Sequence, residues 1–106
     1  MKQSQLDTLK FVADTLPRDN IVLRTIEEGA EFDKVLIKNI NSGKNNRDDI
    51  VEEMAHKIVM LKLLEYKYNI SESEINSEIE ERVQRELHRA NKWKTEYADK
   101  VTRRKK

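Results

Sequence analysis

Apolar residues recur along this chain at intervals of three and four, the period of helices that each turn one face inward. Leu6, Leu9, Val12, Ala13 and Leu16 predict a short first helix over residues 3–16, stopped by Pro17 and the polar Arg18, Asp19 and Asn20. A second helix is expected from Asp19 or Asn20, with Val22, Leu23, Ile26, Ala30, Ile37 and Ile40 on one face. It ends in Asn41-Ser42-Gly43-Lys44-Asn45, a stretch of turn formers. The third helix opens at Asn45 or Asn46, places Asp48 and Asp49 where the helix dipole favours anions, and reaches about Tyr68. The short turn makes the second and third helices an antiparallel hairpin over residues 20–69. Ser71 and Glu74 have the S-x-x-E spacing of a capping box and announce a fourth helix over 72–101. Its stripe (Ile75, Ile79, Val83, Leu87, Ala90, Trp93, Tyr97 and Val101) is narrow, which predicts packing on something limited such as a partner chain. Residues 102–106 read as a frayed, solvated basic tail.

Composition sharpens this all-α reading. Two glycines, one proline and 39% charged residues leave few places for helices to break. A chain of 106 residues suits one domain, 1–106, whose core is marginal unless metal or association helps it. With 21 Lys and Arg against 20 Asp and Glu, no global field draws it to nucleic acid or to a membrane surface. The basic tail also lacks the interleaved aromatics of a single-strand groove. Absent cysteine excludes disulfides and thiolate zinc sites and suits a reducing cytoplasm. With no run of about 18 apolar residues and no apolar leader in MKQSQLDTLK, a soluble, intracellular protein is expected.

The candidate chemistry lies in the hairpin. At about 100° per residue, Glu28 and Glu31 sit within roughly 60° of each other, flanked by Phe32 and Val35. On the third helix Glu53 and His56 share a face with Met60, Leu63 and Leu64. A carboxylate on a buried stripe costs several kcal/mol unless it is paired or holds a cation, so three of them need a compensating charge. A purely structural account stays open: Glu53 pairs with Lys57 or Lys34, and His56 is a satisfied core histidine. The alternative is a metal site built from facing side chains of two antiparallel helices.

The run Glu27-Glu28-Gly29-Ala30-Glu31, followed after 21 residues by Glu53-Met54-Ala55-His56, resembles the E-E-x-x-E then E-x-x-D signature of the MazG-like nucleotide pyrophosphohydrolases. The likeness covers about residues 20 to 90. It is most specific in VEEMAHKIVMLKLLEYKYNISESEI, which looks like the short phage and bacterial members. The resemblance implies an all-α homodimer or homotetramer that uses Mg²⁺ or Mn²⁺ to hydrolyse nucleoside triphosphates to monophosphate and pyrophosphate, in the cytoplasm or in a host's cytoplasm if phage-encoded. It implies catalytic acids at Glu27, Glu28, Glu31 and Glu53, metal ligands at Glu28, Glu31 and Glu53 with His56 as a fourth, and a phosphate contact at Lys38. His56 stands where the family has Asp. Imidazole is a poor Mg²⁺ ligand but suits Mn²⁺, Fe²⁺, Co²⁺ or Zn²⁺. The swap therefore leaves three outcomes: a softer metal, a weak Mg²⁺ site, or a chain that has lost catalysis and binds a nucleotide or a host protein.

Overall fold

The computed structural model describes residues 1–43 and 45–105, with side chains described to Tyr97 apart from Lys44. Among the described residues the secondary structure is all helix: α1 spans Gln3–Thr15, α2 Arg18–Ser42, α3 Arg47–Lys67 and α4 Glu72–Lys105. It divides into two units, Met1–Ile70 and Ser71–Lys106.

In the first unit, α2 and α3 pack along their length and α1 lies on α3. Proline sets the first break: Pro17 holds an extended φ of −62° and ψ of 149°, and its carbonyl accepts the amide of Ile21 at 3.3 Å. Helix α2 thus begins at Arg18, one residue before the earliest expected start. At its other end Gly43 adopts the left-handed conformation, φ 63°, and its N–H donates to the Asn39 carbonyl at 3.2 Å. Helix α3 starts behind Asn46, as its sequence predicts, and closes in a Schellman motif. There Asn69 takes φ 53°, its N–H reaches the Tyr66 carbonyl, and the Ile70 N–H reaches the Glu65 carbonyl at 2.9 Å.

The fully buried side chains described are Ala13, Ile21, Met60 and Leu63, with Leu9, Val12, Leu16, Leu64 and Tyr66 packed around them. The inward faces predicted for α1 and α3 are the ones observed. The apolar face of α2 is instead the outer one: Leu23, Ile26, Ile37 and Ile40 are 61, 63, 56 and 80% exposed, whereas Ile21 is completely buried. The inner seam of α2 runs through Ile21, Thr25, Glu28, Phe32, Val35 and Asn39, alternating steps of four and three. Three of those six residues are polar, so the seam reads as the solvent side, and the more apolar stripe on the far side reads as the core.

The seam keeps a heptad register. Residues 35, 28 and 21 descend α2 as 46, 53 and 60 ascend α3, so each pair marks a rung two helical turns from the next. At the rung by the turn, the Asn46 amide donates to the Val35 carbonyl at 2.9 Å, and the Asn39 amide donates to Asn46 Oδ1 at 2.7 Å. The lowest rung, Ile21 and Met60, belongs to the buried core. Between them stands a rung of two glutamates.

The second unit is α4. Ser71 and Glu74 form the expected capping box: Glu74 Oε2 accepts from the Ser71 N–H at 2.8 Å, and the Glu74 N–H donates to Ser71 Oγ at 3.2 Å. The backbone stays helical to Lys105, past the expected end at 101, so residues 102–105 are helix rather than a frayed tail. Lysine and arginine are good helix formers and suit the negative end of the dipole. Residue 106 lies outside the described residues. Ile79, Val83, Leu87, Trp93 and Tyr97 of the stripe are all about half exposed or more.

Candidate metal centre

The middle rung brings together residues whose chemistry the flanking rungs hold in place. Glu28 comes from α2, and Glu53 and His56 from successive turns of α3. One ligand atom from each of these three lies within 4.8 Å of the others. His56 Nδ1 stands 3.2 Å from Glu28 Oε2 and 3.8 Å from Glu53 Oε2, and its Nε2 is 4.0 Å from Glu52 Oε1. Around an ion with bonds of about 2.1 Å, neighbouring ligand atoms sit roughly 3 Å apart, which modest side-chain rotation would reach.

Burial makes the arrangement costly without a cation. The Glu53 side chain is only 16% exposed, and its Oε2 is fully buried with no hydrogen-bond partner. Native proteins rarely leave a buried carboxylate oxygen so, because its desolvation goes uncompensated. Both lysines that would have neutralised Glu53 in a purely structural account are engaged elsewhere. Lys57 Nζ lies over the Phe32 ring, 5.2 Å from its centroid, and Lys34 Nζ is 3.2 Å from Glu31 Oε1. The donor set of two carboxylates and one imidazole fits a divalent ion of intermediate softness, and it faces outward along His56, whose side chain is 45% exposed.

The other candidates fall outside this group. Glu31 lies roughly 60° around α2 from Glu28, which takes it off the seam to an exposed ion pair with Lys34. Glu27 is exposed on α2, and so is Lys38, ten residues or about 15 Å along the helix axis from Glu28. Glu52 is the neighbour that sequence reasoning passes over, although its i, i+4 spacing to His56 was a usable signal. Trp93 and Tyr97 stack on each other with ring centroids 5.1 Å apart and planes 20° from parallel. No helix described is long and apolar enough to cross a membrane. Compared with family models, with curated proteins and with solved structures, the chain matches none.

Proposed function

We propose that this protein is a metal-dependent nucleoside triphosphate pyrophosphohydrolase of MazG-like type, with Glu28, Glu53 and His56 holding a divalent cation. The observation that carries the reading is the buried, unpartnered Glu53 Oε2 beside Glu28 and His56. The imidazole favours Mn²⁺ over Mg²⁺. When bound, such an ion neutralises phosphate oxygens and acidifies a water, the two needs of phosphoanhydride hydrolysis. The chain's own part is positional. Glu53 is fixed by burial, Glu28 by the seam and His56 by the three carboxylates around it. Glu52 Oε1, 4.0 Å from His56 Nε2, is a small side-chain rotation away from accepting a hydrogen bond from it and so fixing the ring's orientation, as carboxylates behind metal-bound imidazoles do. Glu27 and Glu31 are assigned to the rim, and Lys38, about 15 Å along α2 from Glu28, is assigned no contact at the ion. The outer α2 stripe of Leu23, Ile26, Ile37 and Ile40 supports assembly as a homo-oligomer, since exposed apolar patches of this kind mark interfaces.

Release of pyrophosphate from a panel of NTPs and dNTPs with Mn²⁺ or Mg²⁺ tests the activity. No turnover by the folded protein with either metal sinks it. A second reading, a catalytically degenerate relative that binds a nucleotide or a host protein, is favoured by His56 in the family's Asp position and by Glu31 standing off the group. His56→Asp separates the two: activity created by the substitution marks a decayed enzyme, and activity lowered by it marks His56 as a working ligand.

A further inference from the structure

Helix α4 carries an apolar stripe that its own unit leaves open. Ile79, Val83, Leu87 and Trp93 are 51, 54, 54 and 61% exposed, and the helix surrounds them with charge. That charge is sorted by position. Residues 72–81 contain Glu72, Glu74, Glu78, Glu80 and Glu81 and no base, whereas 92–106 contain seven Lys or Arg against Glu96 and Asp99. The helix dipole accounts for acids in the first turn and bases in the last, because its influence dies within a turn. Sorting that persists over ten to fifteen residues asks for another partner.

We propose that α4 pairs antiparallel with α4 of a second copy of this chain, centred between Leu87 and Ala90. Three observations converge on that occupant. Charge is the first: an antiparallel pair lays the acidic segment against the basic one twice over, whereas a parallel pair stacks like on like. The spacing of the stripe is the second. Going outward from Leu87 and Ala90, Val83 and Trp93 stand four and three residues away, and Ile79 and Tyr97 eight and seven, so each pair stays level to within one residue. In antiparallel register Leu87 therefore faces Ala90, Val83 faces Trp93 and Ile79 faces Tyr97, each a larger side chain against a smaller one. The third is the flanks. At 100° per residue Glu80 and Lys94 fall on one side of the stripe and Arg82 and Glu96 on the other, and the register that matches the stripe sets Glu80 near Lys94 of the second copy and Arg82 near its Glu96. The stacked Trp93 and Tyr97 rings present a preformed surface to that partner. This pairing does not rest on the metal reading and stands or falls without it.

The chain has no cysteine, so introduced thiols report cleanly. Ile79→Cys and Tyr97→Cys are made separately in the full chain and exposed to a mild oxidant, alone and mixed. Both positions are half exposed, and far-UV circular dichroism checks that each variant keeps its helices. The expected result is a covalent dimer of twice 12.6 kDa from the mixture, with each single variant staying monomeric on a denaturing gel. Single variants that cross-link to themselves overturn the proposal in favour of a parallel pair. A natural chain that is monomeric by light scattering, with no cross-link in the mixture, overturns it in favour of a stripe covered within one chain.

Discussion

Replacing Glu53 with leucine should stabilise the metal-free protein and abolish its response to metal. The Glu53 side chain is 16% exposed and its Oε2 is buried without a partner, the nearest His56 nitrogen lying 3.8 Å away. Leaving such a group unsatisfied costs about 1–3 kcal/mol, and a well-packed apolar residue of similar volume removes that cost. Position 53 is one heptad from buried Met60 and on the same seam, so leucine extends that apolar surface by one rung. For a domain of this size, each kcal/mol shifts the melting temperature by about 4–8 °C. The natural chain, given Mn²⁺ at about 100 times its dissociation constant, gains about 2.7 kcal/mol, while the variant gains nothing. Circular dichroism melts at pH 8 and matched protein concentration, in EDTA and in Mn²⁺, should therefore show a crossing. Glu53→Leu melts higher without metal, and the natural chain recovers or overtakes with it. A variant that melts below the natural chain in EDTA would refute the reasoning, since the carboxylate would then be satisfied without a cation. A variant that keeps the Mn²⁺ shift would place the ion elsewhere.

Leu63→Ala, in a core of few fully buried side chains, should cost about 2–5 kcal/mol, read as a fall in the denaturant midpoint. Asn46→Ala removes the bonds to the Val35 carbonyl and the Asn39 amide; about 1–3 kcal/mol of stability should go, and Mn²⁺ affinity by calorimetry should weaken with it. Ile40→Lys, at a position 80% exposed, should leave monomer stability within about 0.5 kcal/mol while lowering the mass seen by light scattering. The Ser71 N–H, and after it the Ser71 hydroxyl, holds the Glu74 carboxyl below its ordinary value. A depressed carboxylate stabilises above its unfolded pKa and ceases to as pH falls through its folded one, so the helical signal of α4 should drop at acid pH and Glu74→Gln should flatten that dependence.

Much of the fold is legible in periodicity because α1 and α3 place apolar residues on the faces that are buried, as at Ala13, Met60 and Leu63, even though Phe11, Val51, Met54, Ile58 and Leu61 lie exposed on the same helices. Helix α2 misleads for a physical reason. Its seam carries Thr25, Glu28 and Asn39, and its outer face carries Leu23, Ile26, Ile37 and Ile40. A count of apolar side chains therefore points outward, and only the partner helix reveals which side is in. The clustering of Glu28, Glu53 and His56 follows from spacing and antiparallel packing. The separate fates of Glu31 and Lys38 do not, because 60° of helix rotation decides between seam and solvent while a linear motif ignores it. The role of Asn46 was hidden too, since an asparagine before a helix reads as a cap, whereas here its side chain reaches the opposite helix.

That asparagine bond sets the phase of the two helices as well as holding them. Asn46 and Val35 are each seven residues from Glu53 and Glu28, so the turn and the glutamates share one register. Sliding α3 by a single residue would shift Glu53 by about 1.5 Å and swing it by about 100°, enough to scatter the three ligand atoms. The loop between Gly43 and Arg47 thus acts as the length standard of a site two turns away. Natural variation or engineering that changes its residue count should erase metal binding while the helices themselves remain folded, which makes loop length, more than loop composition, the trait to follow among chains of this design.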